Sequence, residues 1–128
     1  MTVLGIKRKY KNRILAILNR IAEVLRQAGC DVEGPWDLSG DDYRWELQAN
    51  NIDISITICE SETYDGEPNG INFALDIVEE GGRILGGLTP YNYTDAVWVS
   101  RSDSEAIEER FCILEGADVD DIIPLVAR

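Results

Sequence analysis

Apolar side chains return at helical spacing from residue 6 to residue 28. Tyr10, Ile14, Ile17, Leu18, Ile21, Leu25 and Ala28 form one stripe, polar residues from Asn12 to Gln27 fill the other side, and Gly29 supplies a stop. Leu15, Ala22 and Val24 widen the stripe, so this helix is expected to cover a sheet instead of forming a narrow coiled-coil seam. Residues 30–42 contain Gly34-Pro35 and Ser39-Gly40-Asp41-Asp42 and read as a short extended piece followed by turns.

The period then changes from 3.6 to 2. Tyr43, Trp45, Leu47 and Ala49 alternate with Arg44, Glu46 and Gln48, and Ile52, Ile54, Ile56 and Ile58 alternate with Asp53, Ser55 and Thr57. These are two strands with one wet face, joined by an Asn50-Asn51 turn because asparagine tolerates positive φ. Ile71, Phe73, Leu75 and Ile77 mark a third strand, Glu80-Gly81-Gly82 turns it into a fourth at 83–88, and a fifth follows at 93–100. Every connection has hairpin length, which favours an antiparallel meander. Ser102 with Glu105 forms a capping box for a helix carrying Ala106, Ile107, Phe111 and Leu114 on one face, and Gly116 ends it. The expected architecture is a single two-layer α+β domain: N-terminal helix, five-stranded antiparallel meander, C-terminal helix, both helices on the apolar face of the sheet.

The 128 residues and 45% hydrophobic content fit one core. The chain has no histidine, which removes the commonest general base, the commonest zinc ligand and every histidine-assisted nucleophile. Cys30, Cys59 and Cys112 lack metal-ligand spacing and sit among apolar neighbours in the sequence, so they read as small core residues in a reduced, cytoplasmic setting. No apolar run approaches the roughly twenty residues of a spanning helix, and no membrane association is expected.

The net charge of −12 hides an asymmetry. Residues 1–30 hold seven basic side chains against one acidic, whereas residues 31–128 hold five against 23. Such an acidic body disfavours general nucleic-acid binding. The basic run Lys7, Arg8, Lys9, Lys11 and Arg13 opposes the dipole of its own helix if it occupies the first turns, so it needs either the protein's own acidic body as counterpart or an acidic partner, a nucleic acid or an anionic membrane surface. The membrane is the weakest option, because the apolar face of the helix is needed to cover the core.

Candidate chemistry is sparse. The doublets Asp41-Asp42, Glu79-Glu80, Glu108-Glu109 and Asp120-Asp121 do not converge, because adjacent side chains point apart. The acidic loop at 60–69 misses the spacing of a calcium loop, and the glycine-rich 81–87 segment lacks the lysine and helix of a phosphate loop. Trp36, Trp45, Tyr64, Tyr91 and other rings fall toward strand ends and loops, where they suit a partner surface. The expectation is therefore a non-enzymatic, cofactor-free binding or regulatory module with a protein partner, using the basic run together with Trp36, Trp45, Tyr64 and Tyr91. A divalent-metal-dependent carboxylate enzyme and a small-molecule pocket bounded by Trp36, Trp45 and Trp98 are the alternatives, and homodimerisation by sheet extension stays open.

Overall fold

A computed structural model describes residues 2–38, 43–60, 70–87 and 98–127. Helix α1 spans Val3–Gln27. It starts three residues before the periodic stripe because Thr2 caps it, its Oγ1 accepting from the Gly5 N–H at 3.0 Å. Gly29, at φ +88°, takes the left-handed conformation beyond its C-terminus.

Five strands follow in sequential antiparallel order: β1 (Val32–Asp37), β2 (Arg44–Ala49), β3 (Ile52–Glu60), β4 (Gly70–Glu79) and β5 (Ile84–Gly87). The α+β meander is thus present, but its strands are not the expected five. The extended piece before the first hairpin is a complete edge strand, interrupted by a register shift at Gly34-Pro35. Proline is tolerated there because an edge strand has unpaired positions. Asn50 and Asn51 both have positive φ, +50° and +66°, as a two-residue hairpin requires.

The last predicted strand takes a different place. Its described part, β6 (Val99–Ser100), pairs with Gly70 and Ile71 of β4, while β5 pairs with residues 76–78 of the same strand. Both lie on the edge of β4 opposite β3. A side chain at residue 70 would collide with the Trp98 Cβ, so glycine there lets Trp98 lie against β4.

Register assigns the two faces of the sheet. Trp45, Leu47, Ile54, Ile56, Phe73, Leu75 and Ile77 share one core with the α1 stripe. Helix α2 (Ser104–Glu115) joins that core through Ile107, Phe111 and Leu114. Its cap is Asp103, one residue beyond the expected Ser102: the Asp103 carboxylate accepts from the Ala106 N–H at 3.1 Å, while Ser102 bonds to Ser100. After a short 3-10 turn at Val119–Asp121, helix α3 (Ile123–Val126) closes the described chain. Tyr10 of α1, Phe73 of β4 and Phe111 of α2 form a ring triangle with centroids 4.7 to 5.3 Å apart. Such edge-on and tilted contacts add to the burial of the rings.

Two sequence expectations need correction. The second sheet face is not uniformly wet, since Ser55, Asn72 and Ala74 on it are buried. Of the cysteines, Cys30 is buried and Cys59 half-buried, but Cys112 is exposed on α2. It follows Glu108 by one helical turn and lies 3.7 Å from that carboxylate, off the Phe111 face.

Candidate binding surface

The basic run is largely engaged within the molecule. Arg13 reaches α2, donating through Nε and Nη2 to both Glu115 oxygens at 3.1 and 2.9 Å and through Nη1 to Glu108 at 2.9 Å. Its guanidinium also lies 4.6 Å from the centroid of the Phe111 ring, so charge, fork geometry and cation–π contact act together. Two turns along, Arg20 donates to the Glu115 carbonyl at 3.2 Å, placing a cation at the C-terminus of α2. Lys11 pairs with Asp37 at 3.6 Å. Lys7 lies 6.0 Å from the Tyr43 ring and Lys9 5.5 Å from the Tyr10 ring. Arg8 is exposed. Because α1 begins at Val3, the run falls in the second and third turns, beyond the reach of most of the N-terminal dipole. The expected local penalty is correspondingly small.

The Tyr10 hydroxyl donates to Glu108 at 2.7 Å. Burial, reinforced by this acceptor, raises the Tyr10 pKa. The bonds from Tyr10 and Arg13 hold the Glu108 carboxyl below its ordinary value, and the bond to Glu115 raises that of Arg13. All three shifts favour the ion pair that is present.

The aromatic candidates separate. Trp45 shares the parity of Leu47 and Ala49 and is fully buried, so it is a core residue and not part of a partner-facing rim. Trp36 is 42% exposed and stands opposite Glu46 on the other face. Trp98 lies over Gly70. The three tryptophans therefore do not enclose one pocket. Tyr64, Tyr91, Asp41-Asp42 and most of the acidic loop lie outside the described residues.

The second sheet face carries groups that the sequence reading did not single out. Register aligns Trp36, Glu46, Ser55 and Asp76 in one row across β1 to β4. Burial, with Asp53 nearby, raises the Glu46 pKa, and Arg44 opposes that effect. Burial alone raises the Asp76 pKa. Neither carboxylate has an ion-pair or hydrogen-bond partner among the described residues. Two donors nearby are also unsatisfied, Arg44 Nε and the buried Asn72 Nδ2. Among the described residues no three acidic or cysteine side chains gather as a metal site, and no helix is long and apolar enough to cross a membrane. Comparison with protein-family models, curated proteins and solved structures gives no match.

Two outcomes follow from these charges. Glu108→Gln should cost about 1 kcal/mol at neutral pH, allowing for solvent screening. The lowered Glu108 pKa means its stabilisation is complete above the ordinary carboxylate range and is lost as pH falls through the lowered value. Urea unfolding should therefore show the wild-type advantage shrinking in acid; a pH-independent difference would refute this role. Asp76 has the opposite sign, because its raised pKa makes ionisation in the folded state costly as pH rises. Asp76→Asn should raise the Tm at neutral pH, with the gain vanishing in acid, whereas a lower Tm at neutral pH would contradict the assignment.

Proposed function

We propose that this chain is a binding module for a basic protein partner and performs no chemistry of its own. The observation that carries the reading is the internal engagement of the α1 cations: Arg13 is held by Glu108 and Glu115, and Lys11 by Asp37. With those charges used inside the fold, the surplus of acidic side chains after residue 30 is what a partner meets. An acidic surface attracts cationic proteins at long range and repels phosphate backbones. The half-buried carboxylates Glu46 and Asp76, which have no ion-pair or hydrogen-bond partner among the described residues, also favour a second reading, a carboxylate-dependent enzyme, because shifted acids gather at functional sites. Binding accounts in addition for the exposed Trp36 beside Glu46.

The test is capture from a nuclease-treated lysate with wild type and an Arg8→Glu, Lys9→Glu variant. The reading expects a basic protein retained equally by both forms and released by moderate salt. An acidic or nucleic-acid partner lost with the variant would overturn it, since the basic helix would then be the contact surface.

A further inference from the structure

We infer that the stability of this fold is governed by ionic strength: repulsion among carboxylates gathered at the Asn50-Asn51 end of the molecule opposes folding in dilute salt and is relieved as salt rises. The inference does not depend on the partner proposed above. Three observations carry it.

The first is a count. The chain holds 24 acidic and 12 basic side chains, so pairing every cation with its own carboxylate would leave as many carboxylates unanswered as answered. Folding draws these like charges together, from a radius of gyration of about 37 Å unfolded to about 14 Å folded. The repulsion is therefore larger in the compact state and acts against it.

The second is where the charges lie. The Asn50 N–H donates to the Asp31 carbonyl at 3.1 Å and the Glu80 N–H to the Asn51 carbonyl at 3.3 Å, so the hairpin turn ties together two acidic segments. One shallow hollow at the turn is lined by Asp31 and Glu33, another by Glu79 and Glu80. Glu79 pairs with Arg83 at 3.6 Å, and Arg26, in the last turn of α1, is the other cation these segments carry. Asp31, Glu33 and Glu80 are exposed and have no ion-pair or side-chain hydrogen-bond partner among the described residues. The negative end of the α1 dipole adds to them, since Asp31 follows that helix within four residues of Gln27. The third observation is the distance of the remaining positive charge. The basic run sits toward the other end of α1, and from Lys7 to Gln27 the helix extends about 30 Å.

Screening decides the sign. The Debye length is about 30 Å at 0.01 M ionic strength and about 8 Å at 0.15 M. The Arg13 fork meets Glu115 at 2.9 and 3.1 Å, well inside either length, so the clamp loses less than the repulsion summed across the molecule. A fold held mainly by ion pairs weakens as salt is added; this one should strengthen. A cationic partner that binds the folded chain supplies the same relief without salt, so the chain gains stability on binding.

The experiment is thermal unfolding of the full chain at ionic strengths of about 0.01 and 0.15 M, set with potassium chloride or with tetramethylammonium chloride. The Tm should rise by about 5 °C or more across this range, equally with both salts. The triple variant Asp31→Asn, Glu33→Gln, Glu80→Gln should melt about 3 °C above wild type at the lower ionic strength, with most of that gain gone at the higher. Glu108→Gln, which breaks the clamp, should instead melt below wild type under both conditions. A wild-type Tm that stays level or falls with salt would overturn the inference and leave the binding-module reading untouched. A rise seen with potassium alone would also overturn it, because a bound ion would then replace screening as the cause. A triple variant that melts with wild type at low salt would overturn the placement of the repulsion at the hairpin end.

Discussion

The position of α2 depends on one guanidinium. Arg13 spans the gap from α1, grips Glu115 with two parallel hydrogen bonds, bonds to Glu108 and lies over the Phe111 ring. Beneath it, Tyr10 contributes its ring to the Phe73–Phe111 contact and its hydroxyl to Glu108. The apolar triangle and the charged clamp therefore share residues. Burial of the rings supplies the larger stabilisation, and the clamp sets which side of α2 meets α1. Ion pairs with this exposure contribute modestly one at a time, but a bidentate pair locked over a ring loses less freedom than two mobile surface chains.

This arrangement changes the meaning of the charge asymmetry. From sequence alone, a basic helix on an acidic body leaves two readings open, an internal counterion or a cationic docking surface. In the fold, Arg13, Arg20 and Lys11 face acidic or carbonyl groups from later in the chain. The helix and the body are mutual counterions, and the attraction assists the docking of segments about a hundred residues apart. The charge left over after residue 30 is mainly negative.

Local patterns made much of the fold legible. The 3.6-residue stripe located α1, alternation located β2, β3 and β4, and Asn50-Asn51 located their first turn. Strand β1 was obscured because Gly34-Pro35 breaks its alternation and shifts its register. The return of β6 to β4 was hidden because it depends on close approach of Trp98 to Gly70, a long-range packing relation. Asp103 displaced Ser102 as the α2 cap by a single residue, the scale on which competing cap side chains are hard to separate. For the candidate surface, parity already placed Trp45 with Leu47 and Ala49 in the core. The row from Trp36 to Asp76 required pairing registers across four strands, which a single sequence does not contain. The clamp left a faint trace: Arg13 and Arg20 repeat at seven residues in α1, as Glu108 and Glu115 do in α2.

The most direct measurement is a double-mutant cycle on Arg13→Ala and Glu115→Ala, read by urea unfolding at neutral pH and low salt. An internal clamp predicts a coupling of about 1 kcal/mol, reduced as salt is added. Additivity within about 0.3 kcal/mol would contradict it and return the basic helix to consideration as a free docking surface.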